Sequence, residues 1–226
     1  MNYYFNPISS DRLILDVGAN HGQDGLKLAL NNPDAHVIAF EPVPEMIQSI
    51  HLNHANTVQS YGSPLNNYTL IDVALSDFNG TAEFNVAGQS DWGCSSLNTF
   101  SENLDQTWPV REDFKVTNLI SVKVSRLDTI LKDLSFRSIN YLHCDTQGSD
   151  LSVLKGLGEF RRHLVKGVIE TATSKSVALY REQHLLEDVC FDFVRWGFEI
   201  IRILPNDSHY NEVNVEFQNK FFIDRI

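Results

Sequence analysis

Positive charge and cysteine are both scarce in this chain of 226 residues. Against 29 aspartates and glutamates stand 18 lysines and arginines, leaving a net charge of -11. A partner rich in phosphate needs cationic side chains to offset its charge, so neither nucleic acid nor an anionic membrane is expected to bind. Cys94, Cys144 and Cys190 are odd in number and far apart. That excludes a disulfide framework and suits free thiols in a reducing cytosol, with Cys144 packed inside an apolar strand. Long apolar runs are missing as well: nothing approaches the roughly 20 residues that cross a bilayer. Met1 to Pro7 has neither the basic region nor the apolar segment of a signal peptide, so the expectation is a soluble, cytoplasmic protein. Repeats and low-complexity tracts are absent too. A hydrophobic content of 42% is enough for one sizeable core, which predicts a single domain over residues 1–226.

What is present is concentrated near the start. Ile14 to Val17 reads as a buried parallel strand, and Gly18 and Gly22 permit a sharp turn into a helix over Gln23 to Asn32, stopped by Pro33. A second strand, His36 to Phe40, ends at Glu41, about 20 residues beyond the turn, where an acid accepts hydrogen bonds from ribose hydroxyls. A pyrophosphate site favours G-x-G-x-x-G, whose middle glycine lets backbone approach phosphate. Here that position is Asn20. The turn therefore suits a phosphate-free nucleoside such as S-adenosylmethionine, its amino acid end reaching Asn20, the Gly18 backbone and, through water, Asp16.

Farther on, the α/β rhythm continues. A helix is predicted over Glu45 to Asn53 and a strand over Leu70 to Leu75, followed by an Asn79-Gly80 hairpin signal. Thr81 to Val86 and Ile120 to Ser125 alternate in hydrophobicity and are expected to pair, making an inserted hairpin beside the cofactor mouth over about residues 78–126. Ile139 to Cys144 reads as a central strand, with Ser149 or Asp150 capping a helix that carries Leu151, Leu154 and Leu157. Leu164 to Ile169 is the next strand. A stripe from Leu185 to Val194 forms a helix closed by Gly197, and Phe198 to Leu204 with Phe217 to Ile223 forms an antiparallel edge hairpin. Its polar link, Pro205 to Glu216, is long enough to overhang the site or a partner. The pattern is that of a doubly wound, mostly parallel sheet.

Six motifs in order carry a resemblance. Asp16-Val17-Gly18-Ala19-Asn20, Ala39-Phe40-Glu41-Pro42, Ala74-Leu75-Ser76-Asp77 with Gly80, Ser95-Ser96-Leu97, Arg126 to Leu131, and Asp145-Thr146-Gln147-Gly148 with Val153 to Gly156 span about residues 13 to 170. Together they resemble the FkbM family of methyltransferases. The resemblance implies a class I, Rossmann-like fold that uses S-adenosylmethionine, usually to methylate a hydroxyl of a sugar or natural product, with some members acting on nitrogen. It also brings Ala74, Ser95 and Ser96 toward the cofactor or acceptor. Where the family commonly has Lys-Ile-Asp-Val-Glu-Gly, this chain has His143-Cys144-Asp145-Thr146-Gln147-Gly148.

Chemistry belongs at the carboxyl ends of the strands. Asp16, Gly18, Asn20, Gly22, Glu41, Ala74 and Asp145 are the expected cofactor residues, and Asp145, Glu170 and His143 the expected catalytic ones. Each has a second reading. Asp145 either takes a proton from the acceptor or binds the methionine ammonium or caps a helix. His143 has a basicity suited to a general base, yet lies deeper and equally suits a hydrogen-bonded core role. Glu170 binds an acceptor hydroxyl, serves as base or forms a structural ion pair. Ser95 and Ser96 also suit turn backbone, and Trp92 and Trp108 either stack on a sugar or pack inside. His51 and His54 lack a third ligand, so no metal is expected. The favoured activity is O-methylation of a carbohydrate, glycoconjugate or natural-product hydroxyl. N-methylation of an amide or amine, and a cofactor-binding module without turnover, are the alternatives. With the first strand starting so early, an open cleft or a cover from a second copy is expected, hence a possible homo-oligomer.

Overall fold

The computed structural model describes residues 1–88, 92–102, 104–108, 111 and 114–222, with the side chain of Trp92 outside that description. β1 (Tyr3–Phe5) precedes β2 (Arg12–Val17), α1 (Gln23–Asn31), β3 (His36–Phe40) and α2 (Pro44–Tyr61). β4 (Tyr68–Ile71), β5 (Ala74–Leu75) and β6 (Gly80–Ala87) lead through the short α3 (Leu104–Thr107) to β7 (Val116–Ser125) and α4 (Leu127–Leu131). The last part comprises β8 (Ser138–Cys144), α5 (Asp150–Gly156), β9 (Lys166–Ala172), α6 (Leu186–Trp196), β10 (Phe198–Pro205) and β11 (Glu212–Asn219).

Eight strands form one sheet in the order β1-β4-β3-β2-β8-β9-β11-β10. The run from β4 to β9 is parallel, whereas β1 and the β10–β11 hairpin are antiparallel edges. Strand period two sends Leu13, Leu15 and Val17 to one face, where they pack with α4, α5 and α6 through residues such as Leu127, Leu154 and Phe193. Ile14 goes to the other, against Leu26 and Ala29 of α1 and Ile50 of α2. Each face is thus covered by helices where the parallel strands lie. Because β3 flanks β2 on one side and β8 on the other, the strand order reverses at β2. A crevice opens there, above the carboxyl ends of β2, β3 and β8.

Several expected elements shift, each for a visible reason. The helix expected over Glu45 to Asn53 extends from Pro44 to Tyr61; its apolar stripe fades after Ile50, but the surface turns continue until Gly62 closes them at φ 74°. The strand expected over Leu70 to Leu75 divides, because Val73 N–H donates to Ile71 O at 3.0 Å and turns the chain into a second sheet. That sheet has the order β5-β7-β6. The pairing of Thr81–Val86 with Ile120–Ser125 is present, with Ala82 opposite Val122 and Phe84 opposite Ile120. Asn79-Gly80 makes no hairpin, since β5 pairs with β7 and not with β6. Instead the Asn79 side chain accepts from Arg126 N–H at 2.9 Å and Ser125 Oγ at 3.2 Å. Residues 89–91, inside the expected insertion, lie outside the described residues.

At the far edge, β11 is Glu212–Asn219, not Phe217 to Ile223, because Val213, Val215 and Phe217 alternate inward toward the core. The polar link shortens accordingly, and the end of the expected strand, Ile223, lies outside the described residues. β9 begins at Lys166, two residues later than expected. Neither Ser149 nor Asp150 caps α5 with its side chain. Val194 of α6 is exposed, so that helix buries the narrower stripe of Val189 and Phe193. Among the described residues no helix is long and apolar enough to cross a membrane. The three cysteines are free, and Cys144 is buried as its strand position predicts.

Candidate active site

The cleft at the reversal point is lined from three directions. Gly18 and Asn20 supply its floor, Glu41 one side, and Asp145, Thr146 and Gln147 the other. Phe40, Val43, Met46, Val73, Leu75 and Phe84 make an apolar wall, and no lysine or arginine among the described residues lines it.

The turn that shapes the floor is made by close backbone approach. Gly18 has φ 80°, and a Cβ there would sit 1.9 Å from the carbonyl oxygen of Asp145. Its N–H and that of Ala19 both donate to Phe40 O, at 3.1 and 3.0 Å, while Asp145 N–H donates to Val17 O at 3.0 Å. The ends of β2, β3 and β8 are therefore tied together around one glycine. Asn20 follows in the left-handed region at φ 49° and donates its N–H to Glu41 Oε2 at 2.8 Å. Val43 N–H donates to the other oxygen at 2.9 Å. Burial pushes the Glu41 carboxyl up to about 7, against the pull of those two donors. Each oxygen keeps a lone pair for a further donor.

S-adenosylmethionine fits this arrangement. Asn20 Oδ1 is buried without a partner among the described residues, which is what an ammonium or amide donor of a ligand would satisfy. Glu41 is placed for ribose hydroxyls and the apolar wall for a purine; the lack of cations suits a ligand without phosphate.

Gly18, Asn20, Glu41, Ala74 and Asp145 line the cleft; Asp16 and Gly22 do not. Asp16 belongs to the opposite register of β2, so its carboxylate turns beneath α1: Oδ1 lies 2.8 Å from His143 Nδ1, and a Cβ on Gly25 would meet Oδ2 at 2.4 Å. Gly22 starts α1 at φ 77°, with Ile50 crowding the place of its Cβ. Its constraint is packing, not ligand contact.

His143 also lies outside the cleft lining. Burial lowers its basicity, but the hydrogen bond and charge of Asp16, with Asp145 behind, raise it further, to about 9. Protonated at neutral pH, the ring has no lone pair free for a base, which corrects that expectation for His143. Asp145 is a solvent-reached residue at the cleft edge, where Gln147 Nε2 donates to its Oδ1 at 2.7 Å. Surrounding protein raises it from the ordinary carboxylate range, while Gln147 and His143 pull it down.

Behind Asp145 lies a group of acids that sequence reasoning largely missed. Glu170 Oε2 accepts from Gln147 Nε2 at 3.2 Å and Oε1 from Asn206, while Glu170 N–H donates to Asp150 Oδ1 at 3.0 Å. Burial, then the charges of Asp145 and Glu212, hold the Glu170 carboxyl well above its usual range. Burial likewise lifts Asp150 and Glu212 to about 7. Asn206 lies in the polar link suspected of overhanging the site, and Gln147 in the last quoted motif. Asp150 and Glu212 had no such marker, since ordinary helix and strand positions carry them.

Of the remaining candidates, Ser95 lines the cleft as expected, the side chain of Trp92 lies outside the described residues, and the others take structural places. Ser96 Oγ donates to Gln147 O at 2.6 Å, and Ser95 Oγ accepts from Ala87 N–H at 3.0 Å. Trp108 is buried edge-on against Phe114, with Nε1 donating to Val177 O at 3.2 Å. His54 stacks on Phe5 at 4.0 Å and His51 packs beside it, so H-x-x-H anchors β1. No group of metal ligands is present among the described residues. His21 Nδ1 lies 2.8 Å from Ser49 Oγ, tying the turn to α2.

Comparison with known proteins agrees with this geometry. Residues 16–190 match the methyltransferase FkbM domain. The chain is similar to the 2-O-methyltransferase NoeI of Sinorhizobium fredii, 31% identical over 65% of this chain and 57% of that protein. It is also similar to the methyltransferase sdnD of Sordaria araneosa, 27% identical over 83% of this chain and 76% of that protein. Among solved structures, a methyltransferase FkbM from Methylobacillus flagellatus shares the fold, with TM-score 0.56, 16% identity, and coverage of 93% of this chain and 44% of that one. The chain thus spans little more than half of NoeI and less than half of that crystal chain. It belongs to the FkbM methyltransferase family, with the class I, Rossmann-like fold and S-adenosylmethionine as cofactor.

Proposed function

We propose that this domain methylates a hydroxyl group on a carbohydrate or related natural product. The observation that carries the reading is a single cleft in which the Gly18–Asn20 turn and Glu41 face an accessible carboxylate, Asp145, across the space where donor and acceptor meet. That NoeI is a 2-O-methyltransferase supports oxygen as the acceptor atom.

When bound, S-adenosylmethionine supplies a methyl group activated by its positive sulfonium. The chain's own contribution is to hold and to exclude. Glu41 and the Asn20 amide fix the two ends of the nucleoside, and the apolar wall keeps water from its base. A hydroxyl must lose its proton as it attacks, and the Asp145 carboxylate, which lines the cleft, is placed to take it. Burial raises the basicity of Asp145 above that of an ordinary carboxylate, which favours that role.

The test is methyl transfer from labelled S-adenosylmethionine to a panel of glycosides and glycans. Asp145→Asn is expected to lower turnover at least about 100-fold, the ordinary worth of a general base, while S-adenosylhomocysteine affinity stays within about threefold. Undiminished turnover would remove Asp145 from the chemistry. Cofactor binding without transfer to any hydroxyl, amine or amide would indicate a binding module.

A further inference from the structure

Gln147 occupies the centre of the acid group in an unusual backbone state. Its φ is 54°, in the left-handed region that a residue with a side chain rarely enters, and Gly148 follows at φ 91°. Ser96 holds the Gln147 carbonyl at 2.6 Å, and the side chain reaches inward. One nitrogen, Nε2, has two hydrogens and two carboxylate neighbours: Asp145 Oδ1 at 2.7 Å and Glu170 Oε2 at 3.2 Å. The other end, Oε1, lies 3.0 Å from the hydroxyl of Tyr180, a side chain 1% exposed that also reaches Cys94 O at 2.8 Å. Both carboxylates accept, which directs the amide nitrogen toward them, while Oε1 shares the one hydrogen of the Tyr180 hydroxyl with Cys94 O. A glutamate here would bring a third carboxylate and no hydrogen.

We propose that Gln147 is a positioning residue for methyl transfer: oriented by Tyr180, its amide holds the Asp145 carboxylate at the cleft rim and separates it from Glu170, so that Asp145 meets the acceptor. This rests on the reading of Asp145 given above. Other charged groups bear on the pair from every side: His143 and Asp16 from β8 and β2, Asp150 from α5, Glu212 from β11, and Asp207 from the link before it. None of these places a hydrogen on both Asp145 and Glu170, as the Gln147 amide does.

The acceptor is unidentified, so the probe is sinefungin, an analogue of the cofactor with an amine where the transferred methyl stands. Its affinity relative to S-adenosylhomocysteine, measured calorimetrically on the full chain from pH 5 to 8.5, reports the charge at that point. The wild type is expected to prefer sinefungin about tenfold or more above the midpoint of Asp145 ionisation. Asp145→Asn should abolish the preference and keep S-adenosylhomocysteine binding. Gln147→Met and Gln147→Glu should keep S-adenosylhomocysteine binding but move the midpoint up by about one pH unit, a tenfold change in the fraction ionised below it. Tyr180→Phe should move it the same way, and it serves if the Gln147 variants do not fold. An unmoved midpoint in these variants, with the preference lost in Asp145→Asn, would overturn the role of Gln147 alone. A preference that survives Asp145→Asn would overturn the reading of Asp145 and this proposal with it.

Discussion

Gly18→Ala is expected to weaken S-adenosylhomocysteine binding by at least about 100-fold, equivalent to about 3 kcal/mol. Two effects combine. A side chain at φ 80° is strained in any surroundings, and here its Cβ would stand 1.9 Å from the Asp145 carbonyl oxygen. That oxygen is backbone, held because Asp145 N–H donates to Val17 O and because Val17 pairs with Cys144 in the register of β2 and β8. Relief therefore means parting the two strands whose ends form the cleft floor. Gly62→Ala separates the effects, since Gly62 has φ 74° but nothing within 4 Å of its Cβ. It should lose only about 1 kcal/mol of stability and no affinity. Calorimetric titration of both variants checks the pair of outcomes, and equal behaviour would show that contact with Asp145 is unimportant.

His143→Leu is expected to destabilise the fold by about 3–5 kcal/mol, since it leaves the 1% exposed Asp16 carboxylate without its partner. In a protein of this size that lowers Tm by roughly 10 °C. The pairing also sets a pH dependence. His143 rises from an ordinary 6.5 to about 9 in the folded chain. The folded state thus binds the proton more tightly than the unfolded state, so the stabilisation is complete below pH 6.5 and is lost as pH rises through 9. Its size is about 3 kcal/mol. Glu41, Asp150 and Glu212, each raised to about 7, act in a lower window. For them the folded state retains a proton that the unfolded state has released, and stability falls from about pH 4 to 7. The wild type should therefore be most stable in mild acid. Thermal unfolding at pH 7 and 9 isolates the histidine: the wild type loses stability over that interval, and His143→Leu loses much less. Parallel curves would contradict the assignment.

The sheet was legible because its strands are short apolar runs bounded by strong punctuation. His36 to Phe40 lies between Pro33 and Glu41-Pro42, and its limits agree with the structure to the residue. Where a boundary depends on a polar surface or on a change of sheet, local pattern is silent. The outer turns of α2 after Ile50 carry few apolar residues, and the break after Ile71 comes from a backbone bond, not from a breaker residue. β1 was missed because three residues alternate too briefly to register as a strand; it is held by Phe5 against His54. In the site, Gly18, Asn20 and Glu41 were readable since turn geometry and strand ends constrain them directly. Asp16 shows the limit of that method. It lies on the face of β2 opposite Val17, which lines the cleft, and its partner His143 lies 127 residues away. Gln147 was visible as a letter in a motif, but its double contact with Asp145 and Glu170 depends on where β9 stops and where Tyr180 packs.

The account depends most on a nucleoside held between Asn20 and Glu41, and a crystal structure of the chain with S-adenosylhomocysteine tests it most directly. The expected result is both ribose hydroxyls within hydrogen-bond distance of Glu41, the Asn20 amide on the amino acid end, and the base against Phe40, Val73 and Leu75. A cleft without ligand at saturating concentration, or a ribose directed away from Glu41, would contradict it.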